Sequence, residues 1–139
     1  MTELESQGQR GGVAVQVEIS PGELFDKLTI LEIKLNKLTD MAQLAHVERE
    51  WALLDIARAR SIKPIAGLDA LVAELRSVNE QLWQTEDDIR RCEREGRFDA
   101  AFIALARSVY RTNDRRAEVK REINRLLGAA FSEQKSYAG

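Results

Sequence analysis

"LDALVAELRSVNEQLWQTEDDIRRCEREG", residues 68 to 96, and "DAAFIALARSVYRTNDRRAEVKREINRLLG", residues 99 to 128, decide the fold between them. In the first, Leu68, Leu71, Leu75, Val78, Leu82, Thr85, Ile89 and Cys92 recur at steps of three and four, the seam of an amphipathic helix. Gly96 follows the last turn, where a glycine ends helices by taking the left-handed conformation. In the second, Phe102, Leu105, Val109, Thr112, Arg116, Val119, Ile123 and Leu126 keep the same period up to Gly128. Helices of this length span roughly 40 Å at 1.5 Å per residue. So short a link between them predicts an antiparallel hairpin.

Working outward, "SPGE" at residues 20 to 23 is a helix start, with Ser20 as N-cap, Pro21 in the first helical position and Glu23 closing a capping box. Leu24, Leu28, Leu31, Leu35 and Leu38 form the seam of this first helix, while Ile30 and Ile33 lie on its back, about 200° away. A helix apolar on two faces is sandwiched, so the N-terminal arm or a second subunit is expected to cover Ile30 and Ile33. Asp40 caps a second helix over about 41 to 60, and "SIKPIAGLD" at residues 61 to 69 is a loop broken by Pro64 and Gly67. Before the first helix, Val13, Val15, Val17 and Ile19 alternate with Ala14, Gln16 and Glu18 at the period of a strand. With no second strand of like quality, that segment pairs with the tail, pairs with another subunit, or lies on the helices as an extended arm. The expected fold is therefore all-α, an elongated antiparallel bundle of about four helices with a short N-terminal strand or extended arm. Residues 1 to 12 read as a disordered lead-in and 13 to 139 as a single helical domain.

Composition agrees and narrows the function classes. Charged residues make up 32% of the 139, with 21 basic against 23 acidic side chains, so no bulk attraction to nucleic acid or anionic membrane is expected. A single cysteine, Cys92, excludes an internal disulfide and fits a reducing compartment. "MTELESQGQRGG" has no apolar leader core, and no run of eighteen apolar residues occurs, so a cytoplasmic protein without membrane insertion is expected.

The last helix carries an anomaly: Thr112, Asn113 and Arg116 stand where its apolar stripe should run. In the hairpin, Arg116 lies about nineteen residues past the turn, level with Val78 and Asn79. A buried guanidinium without acceptors costs several kcal/mol, so Arg116 requires a carboxylate, an amide oxygen or an outside anion. Asp26, Glu32, Asn79 and Glu86 are near enough in register to serve. Buried polar residues at seam positions fix register and oligomeric state, which is one reading of the layer. In the other, Asn113, Arg116, Lys120 and Asn124 form one row on one face, with Glu32 opposite, suited to a nucleotide, a sugar phosphate or a carboxylate.

Four stretches, "SPGELFDKLTILEIK" (20–34), "LWQTEDDIR" (82–90), "ARSVYRTNDRRAEVKREIN" (106–124) and "EQKSY" (133–137), together resemble an uncharacterised bacterial protein family across about residues 17 to 137. Gln134 stands where the family pattern has a second glutamate. The resemblance implies a context and no catalytic residues: members look like companions of glycosyltransferases and other enzymes of envelope polysaccharide assembly.

Other constellations carry less. The carboxylates of Glu86–Asp88 and Glu93 lack the Glu-x-x-His pairs of a di-iron bundle, His46 being the only histidine, so no metal or other cofactor is expected. The arginines of "RRCERE" (90–95) have glutamates beside them for pairing on exposed faces, and only Arg111, Arg115 and Arg121 hint at a basic patch. No phosphate loop, nucleophile elbow or zinc spacing occurs, and no catalytic residue is assigned. Two functions remain. One is a non-catalytic, homodimeric helical accessory protein with Val13, Val15, Val17, Ile30 and Ile33 as interface candidates and a glycosyltransferase or another envelope-synthesis protein as partner. The other is a small-anion binder or enzyme using Asn113, Arg116, Lys120, Asn124 and Glu32. The tail from Ser132 to Tyr137 could cap the bundle, pair beside Val13–Ile19 or dock on a partner.

Overall fold

The computed structural model describes residues 12 to 128. The lead-in up to residue 11 and the tail from Ser132 to Tyr137 lie outside the described residues. Four helices follow in order: α1 (Pro21–Lys37), α2 (Met41–Ser61), α3 (Leu68–Glu95) and α4 (Ala100–Leu126).

The helix ends are set by the side chains that the sequence offers. Ser20 Oγ accepts the Glu23 N–H at 3.2 Å and Pro21 sits in the first turn. The predicted capping box is half-formed, because the Glu23 carboxylate turns away to an ion pair with Lys120. Asp40 Oδ2 accepts the Gln43 N–H at 2.9 Å to start α2, and Asp99 Oδ1 accepts the Phe102 N–H at 3.2 Å to start α4. At the end of α3, Gly96 has φ +65°, and the Arg97 N–H reaches back to Cys92 O at 2.9 Å. That bond is the closure of a Schellman motif, and the chain reverses into α4 across the four residues Gly96 to Asp99.

α3 and α4 pack along their predicted seams. Leu75, Val78, Leu82, Thr85 and Cys92 are buried on one side, and Thr112, Val119 and Ile123 on the other. α1 lies against this hairpin and packs on all three other helices. Its direction opposes α4: Gly22 meets Asn124, Glu23 meets Lys120, and Asp26 meets Arg116. The main core joins Leu24, Phe25 and Leu28 of α1 to Ile62, to Leu68 and Leu75 of α3, and to Val119 and Ile123 of α4. Trp51 and Leu54 of α2 pack against it, although Val47 is the one residue of α2 that is buried.

Two expectations change at this level. Residues 12 to 19 form an extended arm and not a strand, because no described residue offers them a backbone partner. Ile33 on the back of α1 is only 2% exposed and Ile30 is half-buried within a single chain. The sandwich around α1 is made by its own α2 and hairpin, so these isoleucines leave little area for a second subunit.

This packing sets a clear contrast between positions. Leu75→Ala and Ile123→Ala, at fully buried sites, each lower unfolding free energy by about 2–5 kcal/mol in urea titration, the cost of a core cavity. Ile103→Ala, at a side chain 55% exposed, changes it by less than about 0.5 kcal/mol.

Candidate functional site

The polar interruption of α4 meets α1, and its centre is Asp26. This carboxylate is 1% exposed in the second turn of α1. Arg116 Nε donates to its Oδ1 at 2.8 Å, and the Arg116 Nη2 pairs with its Oδ2, giving a two-pronged ion pair. Asn79 Nδ2 from α3 donates to the same Oδ1 at 3.1 Å and to Thr29 Oγ1 at 3.0 Å. The Thr29 hydroxyl in turn donates to the Asp26 backbone carbonyl at 3.0 Å. Lys120 Nζ donates to Glu23 Oε2 at 3.0 Å and lies 3.8 Å from Asp26 Oδ2. Three helices are thus tied through one carboxylate.

One turn further, Asn124 Oδ1 accepts the Gly22 N–H at 2.7 Å. Gly22 is required there by space. A Cβ at that position would stand 2.5 Å from the Lys120 carbonyl oxygen and 3.0 Å from Asn124 Oδ1. α1 and α4 therefore approach at backbone contact, which lets Asn124 reach the first turn of α1. Its Nδ2 is buried and has no hydrogen-bond partner among the described residues.

Burial pushes the Asp26 carboxyl upward, but hydrogen bonds from Arg116 and Asn79, with the charges of Arg116 and Lys120, outweigh it and hold the pKa below its ordinary 3.8. The carboxylate is ionised at neutral pH, as its acceptor role demands. Among the described residues, the cations Arg116 and Lys120 meet the carboxylates Asp26 and Glu23.

The row read from the sequence is therefore brought together in part. Arg116, Lys120 and Asn124 all face α1, and Lys120 and Asn124 are buried. Asn113 is exposed and meets only the edge of Arg116, Nη1 to Oδ1 at 3.4 Å. Glu32 belongs elsewhere: its carboxylate accepts Trp51 Nε1 at 3.0 Å and pairs with Arg76. It is six residues beyond Asp26, which turns it to a different face of α1. Thr29 and Gly22 were not legible as members of the layer. The available signal was a glycine inside the first turn of a helix, which costs stability unless a close approach needs it.

Several other arginines pair with nearby carboxylates. Arg90 pairs with Asp87 at 3.3 Å and Arg91 with Asp88 at 2.9 Å, while Arg115 is held by Glu74 and Glu118. Among the described residues no group of three or more His, Cys, Asp or Glu could hold a metal ion. No helix among them is long and apolar enough to cross a membrane.

A model of a family of unknown function, DUF6165, matches residues 15–139. The chain belongs to that family, and the match spans α1 through α4 with most of the arm. No curated protein and no solved structure matches the chain.

Because the ion pair lowers the Asp26 pKa, its stabilisation is present above the ordinary 3.8 and is lost as pH falls through the folded value. Asp26→Asn leaves Arg116 and Lys120 short of their shared acceptor and costs about 3–5 kcal/mol at pH 7. Its unfolding free energy then depends less on pH below 3.8 than that of the natural chain, which denaturant titrations across that range measure. Gly22→Ala forces α1 from α4 and costs about 1–3 kcal/mol by the same assay.

Proposed function

We propose that this protein is a non-catalytic, homo-oligomeric helical accessory protein. In this reading it supports cytoplasmic steps of cell-surface polysaccharide synthesis by binding other proteins, glycosyltransferases among them. The observation that carries the reading is the closed polar layer. The seam cation that most needs an anion, Arg116, has one in Asp26, and Asp26 is further occupied by Asn79. A layer whose cations are paired with carboxylates of α1 among the described residues pins α1, α3 and α4 together and favours protein contact as the outward role. Exposed apolar side chains suited to such contact lie on the arm and on the outer faces of α2 and α4, at Val13, Val15, Val17, Leu53, Ile56 and Ile103. The polysaccharide context comes from the motif resemblance described above.

A second reading, a small-anion binder, is favoured by one observation: the Nδ2 of Asn124, at the start of α1 beside Lys120, has no partner among the described residues. Thermal unfolding in the presence of nucleotide sugars, sugar phosphates and inorganic phosphate separates the two. A ligand at a hundred times its Kd adds roughly 2.7 kcal/mol, enough to raise the Tm by several degrees. The accessory reading expects a flat panel, and reduced surface polysaccharide when the chain is deleted from its host. A rise in Tm that disappears in Asn124→Leu transfers the function to the second reading, and unchanged polysaccharide in the deletion overturns the first.

A further inference from the structure

The arm before α1 has the pattern of a strand and none of its bonds. Val13, Val15 and Val17 are 95%, 79% and 73% exposed. Among the described residues, no backbone hydrogen bond reaches 12 to 19. An uncovered extended segment with an apolar face is a template for pairing with another strand. Beside it lies a cleft of about 830 Å³, walled by the arm itself and by Leu24, Leu54, Ala57 and Ile62 of the α1–α2 side.

The order of residues in the arm identifies the strand that fits. "VAVQVEI", residues 13 to 19, has the same apolar positions when read from either end, with Gln16 at the centre. We propose that the arms of two copies of this chain pair antiparallel about a twofold axis at Gln16. Val13 then faces Ile19 of the other copy, Val15 faces Val17, Ala14 faces Glu18, and Gln16 faces itself. All eight large apolar side chains fall on one side of the ribbon. A slip of one residue would set apolar side chains opposite polar ones, and a slip of two would set Ile19 against Gly11 or Val13 against Pro21, so this register is the one the pattern selects.

A twofold interface requires a surface complementary to itself, and a segment that is its own mirror in apolar order meets that requirement. A foreign edge strand would impose no such symmetry. A two-stranded ribbon alone is marginal in water and needs a layer to lie on. The cleft walls Leu24, Leu54, Ala57 and Ile62 provide it. The interface candidates Val13, Val15 and Val17 thereby gain a common partner, whereas Ile30 and Ile33 stay inside the bundle.

This pairing rests on the reading that the chain works through protein contacts, and names a second copy as the first of them. The test uses the full chain with Gln16→Cys or Ala14→Cys under mild oxidation; the native Cys92 is only 2% exposed. Residues facing each other across antiparallel strands have Cα atoms about 4.5–5.5 Å apart, inside the roughly 4.4–6.8 Å range of disulfides. Ala14 would stand about 14 Å from its own copy, four residues along the strand. Gln16→Cys is expected to form the covalent dimer in at least about tenfold greater yield than Ala14→Cys. The double variant Val15→Asp, Val17→Asp should be monomeric by light scattering while its helical circular dichroism is unchanged. Equal cross-linking at the two sites overturns the register, and a natural chain that is monomeric at tens of micromolar overturns the pairing. In the latter case the homo-oligomeric part of the reading falls with the pairing, and the accessory role through other protein contacts survives if the double variant fails to restore surface polysaccharide in the deleted host. Cross-linking at Gln16 together with a ligand-dependent Tm rise leaves the pairing standing and overturns the accessory reading.

Discussion

The Asp26 carboxylate is the constraint on which the rest of the molecule depends. It accepts from α4 and α3 while standing on α1, with an ordered guanidinium on one side and an amide on the other. A buried carboxylate has few places to go: out of water it must keep its acceptors satisfied or lose several kcal/mol. This makes the relative position of three helices a matter of hydrogen-bond geometry and not of apolar contact alone. Leucine seams tolerate sliding by a turn, since one apolar residue replaces another at similar cost. An ion pair with a second amide donor does not.

The close approach at Gly22 follows from the same requirement. Lys120 and Asn124 reach the first turn of α1 because no side chain separates the two backbones there. The arrangement uses a glycine where helix propensity disfavours one, and a glutamate that leaves its capping box to meet a lysine. Local rules are broken at two neighbouring positions for one tertiary contact. Such conflicts between local preference and global fold mark places where a sequence serves something beyond helix formation.

Functionally, the layer looks inward and the arm looks outward. The cations that a ligand-binding site would present are turned to Asp26 and Glu23 within the chain. The exposed apolar groups lie on the arm, on the outer face of α2, whose Leu53 is 70% exposed, and on α4 at Ile103 and Tyr110. On the proposed reading, specificity lies in which surface pairs with which, while stability lies in how the polar layer locks the helices that carry those surfaces.

By itself the sequence determined the helices, their ends and the hairpin. The period of the Leu68–Cys92 and Phe102–Leu126 seams, the caps Ser20 and Asp40, and the stop at Gly96 are local signals, and each acts within a few residues of its own position. It also showed that Arg116 needs an acceptor and named Asp26 and Asn79 among four residues that could supply one. Only the tertiary structure decided between them, excluding Glu32 and bringing in Thr29 and Gly22. Which residues meet across helices depends on the rotation and separation of whole rods, and periodicity leaves both open. The arm shows the same division: its alternation was plain in the chain, but an alternating segment becomes a strand only when a neighbouring backbone completes its hydrogen bonds, and none of the described residues does so.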